Sequence, residues 1–407
     1  MNETGTRRAL DGAVTDRLIR VRGTVQGVGF RPFVQVTAER CGLRGWVRND
    51  AQGVLIRAVG TAAEVAAFAE AILREAPVSA NVESIEDQVH AEDAPIPDGF
   101  TIAESVVPKG DVETAVPADL AICGACRAEL ASPENRRRGY PFINCTQCGP
   151  RYSIIEQLPY DRVRTTMSGF RMCAACEREY GDATNRRFHA EPNACPVCGP
   201  RLALTDEVGE PLAENEEALW WAATELTAGR IVAVKGIGGF HLMCDATNET
   251  AVAALRKRKH REEKPLAVMF PSRAALEAVA EVSAEAAALL SSPQAPVVLV
   301  KRRGERGLAA SVAPGNPWIG ALLPYAPLHV LLLERCGRPL VATSANLSEE
   351  PLCIDDDEAL GRLKGMADFF LGHDRPIARP VDDSVVRFSA AGARIMLRRA
   401  RGFAPSP

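Results

Sequence analysis

The chain has 407 residues, 46% of them hydrophobic and 25% charged, with a formal net charge of −4. That length holds two to four domains with their own cores, and the composition is that of a soluble globular protein. A net-acidic chain excludes wholesale charge-driven binding of nucleic acid and leaves only a local basic patch for it. No apolar run approaches the roughly 20 residues that span a bilayer, and the start, MNETGTRRALDG, lacks the apolar stretch of a signal peptide. The expected location is the cytoplasm, where paired cysteines serve as metal thiolates rather than disulfides.

In chain order, residues 1–15 read as a tail and 16–105 as strands alternating with two helices. A strand is expected at Leu18–Arg22, then a helix at Arg31–Arg40 ended by Gly42. Trp46–Asn49 and Val54–Val59 form a hairpin around the Asp50–Gly53 turn. A second helix opens with a capping box, Thr61 and Glu64, and places Val65, Phe68 and Ile72 on one face. Strands near Val82–Val89 and Phe100–Ala103 complete a β-α-β-β-α-β order, the ferredoxin-like plan.

Between this plan's first strand and first helix lies GTVQGVGFR, in which glycines permit an anion-binding nest of backbone N–H groups. Arg31, at the helix entry, adds a bidentate partner for a phosphate. This stretch, followed by WVRN, resembles the acylphosphatase signature. The resemblance implies a phosphate loop at Gln26, Gly27, Val28, Gly29 and Phe30, Arg31 as the phosphoryl-binding residue, and Asn49 as the residue that orients the attacking water.

Residues 106–118 read as a linker, part of an acidic, proline-punctuated connector with Pro95, Pro97, Pro108 and Pro117. The zone 119–202 is a tandem duplication with an offset of fifty residues: Cys123, Cys126, Cys145 and Cys148 recur as Cys173, Cys176, Cys195 and Cys198. Each unit reads C-x2-C-x18-C-x2-C, which is zinc spacing, so two structural Zn2+ ions are expected. Four cysteines leave no coordination position for water, which excludes a catalytic metal here. Two alternatives stay open: the repeated Arg136/Arg137 and Arg186/Arg187 pairs, with Arg151 and Arg201, either balance the thiolate charge or lie on solvated surface. His189, inside the second unit, is not needed as a ligand. Cys41, Cys244, Cys336 and Cys353 stand alone and read as small buried hydrophobes.

A stretch over Leu202–Asn215, with a Glu-Val-Gly-Glu turn, leads into the last zone, so the final domain is set at 203–407. A helix at Glu216–Ala228 precedes strands at Ile231–Lys235, Pro296–Lys301 and Leu340–Thr343, which predict an α/β domain with a twisted mixed sheet. Its chemistry-bearing stretches are KGIGGFH from Lys235, the basic run Arg256–Lys264, and TSANLS from Thr343. The first is neither a Walker A loop nor a dinucleotide fingerprint. KPLAVM, TSANLS and the closing LRRARG together resemble the YrdC family, which implies ATP in a basic cavity and adenylate formation. On that resemblance Lys259, Arg261 and Lys264 grip the triphosphate; magnesium is expected on the phosphates, with no carboxylate assigned as its ligand. Lys235, Ser344 and Asn346 belong to the nucleotide and carbamoyl site, and Arg398 closes it.

An acylphosphatase-like domain, doubled four-cysteine fingers and a YrdC-like domain, with RPVDDSVVR at 379–387, resemble the HypF family. The resemblance implies cleavage of carbamoyl phosphate, formation of carbamoyl-adenylate from ATP, and carbamoyl transfer to the protein HypE in [NiFe]-hydrogenase maturation. Members of that family continue into a further, histidine-rich transfer module, which this 407-residue sequence does not include. Two other readings remain: a threonylcarbamoyl-adenylate synthase acting in tRNA modification, and a nucleic-acid module built on zinc ribbons.

Overall fold

Val14–Thr24 (β1) alternates inward residues such as Ile19 and Val21 with half-exposed ones. It runs past the expected Leu18–Arg22 at both ends because it pairs on both sides. The computed structural model describes residues 13–90, 94–107, 114–304, 307–346 and 350–405. Most of the expected tail, Pro108 of the linker, and Leu347 and Ser348 of TSANLS lie outside the described residues. The described residues form two compact units.

The first unit takes in the chain through Pro117, with Gln157–Arg164 and Glu179–Glu191. After β1 come α1 (Phe30–Arg40), β2 (Arg44–Asp50), β3 (Gly53–Thr61), α2 (Ala62–Arg74), β4 (Asn81–Val89) and β5 (Phe100–Ile102). The sheet order is β4-β1-β3-β2-β5, antiparallel except for β2 beside β5. This is the ferredoxin-like plan read from the sequence. The capping box is present, with the Glu64 N–H donating to the Thr61 hydroxyl and the Thr61 N–H to the Glu64 carboxylate. Val65, Phe68 and Ile72 bury their shared face against Ile19, Val21, Phe30 and Val34. That buried apolar face holds the helix in place, since an isolated helix of this length is marginal in water.

The second unit holds Ala118–Glu156, Thr165–Arg178 and the chain from Pro192 on. The duplication appears as conformation: helices Gly124–Ala131 and Ala174–Gly181 are each followed by the same succession of tight turns. The strands that follow are β6 (Leu202–Asp206), β7 (Pro211–Glu214), β8 (Val232–Lys235), β9 (Phe240–Asp245), β10 (Ala267–Met269), β11 (Ala280–Glu281) and β12 (Val297–Arg302). Then come β13 (Trp318–Leu322), β14 (Leu340–Ser344), β15 (Phe369–His373), β16 (Val385–Phe388) and β17 (Arg394–Arg398). They make one mixed sheet in the order β17-β16-β12-β13-β10-β14-β9-β8-β15-β6-β7, with β11 beside β12. The hairpin at 202–214 is thus the edge of this sheet, its turn fixed by the Asp206 carboxylate accepting from the N–H groups of Val208 and Glu210.

Apolar residues cover both faces of the sheet's middle, where β8 and β9 are buried throughout. Cys244, Cys336 and Cys353 are buried as expected, whereas Cys41 is half-buried. Among the described residues no helix is long and apolar enough to cross a membrane.

Candidate functional site

The first site lies in the first unit. Gly27 and Gly29 have φ of 70° and 77°, left-handed values that favour glycine, and Gly29 caps α1. The side chains of Val28 and Phe30 go into the core. Among the described residues, the N–H groups of Val28, Gly29, Phe30 and Arg31 have no hydrogen-bond partner. Free amides at a helix start form an anion site. The Gln26 side chain braces the loop, donating to the carbonyls of Asp50 and Gly53 at 2.8 Å and accepting from the Tyr160 N–H at 3.0 Å.

Arg31 and Asn49 are brought together at this loop. The Asn49 amide donates to the Tyr160 carbonyl at 3.4 Å, while its Oδ1 is buried without a partner among the described residues. Arg31 donates to the same carbonyl at 3.3 Å. Its guanidinium also pairs with Asp161 and with Glu191, each at 2.9 Å. Burial pushes the Glu191 carboxyl up, with Arg31 opposing. Burial, with Arg31 close by, pulls His189 down to about 4, so this ring is neutral at physiological pH. His189 packs against Tyr180 and Phe188.

The two cysteine sets lie in the second unit. Among the described residues, these are the groups whose donor atoms converge within 4.8 Å. In the first set the sulfur separations are 3.8 Å for Cys123–Cys145, 3.8 Å for Cys145–Cys148 and 3.6 Å for Cys148–Cys126. In the second they are 3.8 Å for Cys173–Cys195, 3.7 Å for Cys195–Cys198 and 3.6 Å for Cys198–Cys176. A tetrahedron with about 2.3 Å from zinc to each sulfur has edges of about 3.8 Å, so both sets fit the ion. His189 is in neither set.

The arginine pairs divide unevenly. Arg136 and Arg137, from the first repeat, donate to Cys176 Sγ of the second set at 3.2 and 3.5 Å. Two guanidinium charges thereby stand ready to balance the net −2 that a Zn(Cys)4 centre would carry here. Arg151 is buried and spans carbonyls of its own knuckle, donating to Cys145 and Thr146 at 3.0 Å, Cys148 at 3.2 Å and Pro150 at 2.7 Å. Arg201, its counterpart, is exposed.

The second unit also holds a cavity of about 530 Å³. Val297, Leu299, Trp318, Ala342, Val385 and Leu397 make it apolar, and Arg261, Lys264 and Arg398 make it basic. Thr343 and Ser344 line it as well, while the Ser344 hydroxyl donates to Asn346 Oδ1 at 2.8 Å. Lys259 stands behind them, its ammonium donating to the carbonyls of Ser344 (2.7 Å) and Asn346. Burial, with Arg261 beside it, pulls Lys259 down to about 8. Lys235 is placed elsewhere: it is buried, paired with Asp356 at 2.5 Å, and does not line this cavity.

Several site residues were given no role of their own from the sequence, though Arg256, Asp382 and Asp383 lie in stretches it picked out. Arg256 organises the basic run, donating to the carbonyls of Arg261 at 2.9 Å, Glu262 at 3.2 Å and Lys264 at 3.3 Å. Asp382 and Asp383 line the cavity beside Arg398, which donates to the Asp382 carboxylate and the Asp383 carbonyl. Against its burial, Asp383 is held well below the usual carboxylate range by Arg401 and His241. The DD within RPVDDSVVR carried that signal. For Asp161 and Glu191 no local pattern existed.

Three family models match the chain: Acylphosphatase over 18–102, HypF finger over 122–155 and 172–205, and Telomere recombination, the Sua5, YciO and YrdC group, over 224–400. The chain is 51% identical to the carbamoyltransferase HypF of Synechocystis sp. over 96% of its own length and 50% of that protein's. It is 52% identical to that of Rhodobacter capsulatus, over 95% and 50%. A full-length HypF crystal structure in a phosphate- and nucleotide-bound form superposes with a TM-score of 0.92 at 43% identity, covering 98% of this chain and 52% of that one. The chain spans about half the length of the curated relatives it matches.

Replacing Arg137 with Ala should release zinc from the second cysteine set to a chelator about ten times faster, leaving the first set unchanged. Chelator-competition kinetics with a chromophoric zinc indicator would show two phases, of which only one accelerates.

Proposed function

The chain belongs to the HypF carbamoyltransferase family, and from that premise we propose that it cleaves carbamoyl phosphate at Arg31 and Asn49 and adenylates the carbamate with ATP. The observation that carries the reading is one chain's possession of both a phosphate loop with free amides and a separate basic cavity of about 530 Å³. The domain division at 16–105, 119–202 and 203–407 is part of the same proposal.

At the first site the loop amides and Arg31 hold the phosphoryl oxygens, and the unpaired Asn49 Oδ1 accepts a hydrogen bond from the attacking water. Water adds, the bond between the acyl group and phosphate breaks, and phosphate and carbamate result. No side chain forms a covalent bond, so the rate comes from positioning and charge stabilisation. In the cavity a carbamate oxygen attacks the α-phosphorus of ATP and pyrophosphate leaves, with Arg261, Lys264 and Lys259 countering the charge on the departing group. Magnesium bound by the phosphates would supply further positive charge. The zinc ions hold shape. Transfer of the carbamoyl group to HypE, for the cyanide ligands of [NiFe]-hydrogenase, completes the role, in the reducing cytoplasm that keeps eight thiolates available.

A threonylcarbamoyl-adenylate synthase would leave the Arg31 site and the cysteine sets without a use. A zinc-ribbon nucleic-acid module would leave the cavity lined by both apolar and basic residues unexplained.

Purified chain given ATP should release pyrophosphate only when carbamoyl phosphate is present. Arg31→Ala should abolish phosphate release from carbamoyl phosphate while the zinc content stays the same. Pyrophosphate release with threonine and bicarbonate instead would overturn the reading. Lys259 carries its charge below about 8 and loses it as pH rises through that value. The KM for ATP should therefore climb above that pH, and a Lys259→Arg variant should not show the climb.

A further inference from the structure

We propose that Glu191, with Asp161 and the Tyr160 carbonyl, makes the first site selective for acyl phosphates whose acyl group carries an N–H donor. The inference rests on the reading that this site cleaves an acyl phosphate. In the structure both terminal nitrogens of the Arg31 guanidinium are engaged, one on Asp161 and the Ser105 hydroxyl and the other on Glu191 Oε1 and the Tyr160 carbonyl. Glu191 is only 2% exposed. Its other oxygen already accepts from the Tyr180 hydroxyl at 2.8 Å and the Arg162 N–H at 3.0 Å.

A phosphoryl group entering the loop competes for the same guanidinium N–H groups. As Arg31 turns toward it, Glu191 Oε1 loses this donor while remaining almost wholly buried. A buried charged acceptor left unpaired is costly, more so than a neutral one. The amino group of carbamoyl phosphate brings two N–H donors next to the reacting carbon, whereas the methyl of acetyl phosphate brings none. Selection then works by penalising the wrong substrate, which discriminates far better than an extra apolar contact. The Tyr160 carbonyl has spare capacity for the same donor, because its bonds to Arg31 and Asn49 are long, at 3.3 and 3.4 Å. Glu191 touches the guanidinium rather than the phosphoryl group, so its role is to set specificity.

The test compares phosphate release from carbamoyl phosphate and acetyl phosphate by the full chain, by Glu191→Gln and by Glu191→Met, with zinc content as the check on folding. The unaltered chain should favour carbamoyl phosphate in kcat/KM by at least about tenfold. Both variants should narrow that ratio severalfold, mainly because acetyl phosphate becomes a better substrate. If both rates fall together at a constant ratio, Glu191 is only an anchor for Arg31 and the inference is overturned. Equal use of the two substrates by the unaltered chain overturns it without any variant, and leaves acyl phosphate cleavage standing. Cleavage of neither would sink the functional reading as well. Where neither variant retains its zinc, the preference of the unaltered chain decides.

Discussion

Four thiolates drawn to within 4.8 Å of one another cannot stay there as bare charges, and the chain gathers them twice. A metal ion at each centre turns that repulsion into the strongest local restraint in the cysteine zone, where the helices Gly124–Ala131 and Ala174–Gly181 are only two turns long. Helices so short do not persist in water without such a restraint. An ion there would also close the loop between Cys176 and Cys195, which carries Tyr180, His189 and Glu191, and so reduce that segment's freedom. The contact of Arg136 and Arg137 with Cys176 ties the two repeats together electrostatically. The duplication therefore fits one module for two ions, in which arginines of the first repeat reach a cysteine of the second.

A second device recurs within the second unit: guanidinium groups buried on carbonyls and carboxylates shape irregular backbone. Arg151 does so in the first knuckle, Arg256 in the basic run, and Arg401 beside Asp383, where its guanidinium also lies 3.3 Å from the Tyr325 ring centroid. Planar guanidinium with five donors suits this task where a lysine would not. Such arginines fix the loops that present Arg261, Lys264 and Arg398 to the cavity, and they keep those charged groups preorganised for an anionic ligand.

Much of this was legible in the chain itself, for reasons that differ by element. The ferredoxin-like plan could be read because its strands alternate and its second helix announces itself with Thr61 and Glu64. The cysteine sets could be read because ligand spacing and the fifty-residue offset are both local patterns. Arg136 and Arg137 were legible only as either charge compensation or solvated surface, and nothing local pointed to the other repeat's cysteine. The pairing of Arg31 with Glu191 spans 160 residues, and no periodicity reports a contact across that distance. Lys235, expected at the nucleotide and carbamoyl site, is buried against Asp356 and is not among the residues lining the cavity.

Zinc K-edge absorption spectroscopy on the metal-replete chain, with the metal content counted, tests the governing constraint most directly. Two zinc ions per chain, each with four sulfur neighbours at about 2.3 Å and no lighter ligand, are the predicted result. A single ion per chain, or a nitrogen or oxygen atom in the first coordination sphere, would contradict it.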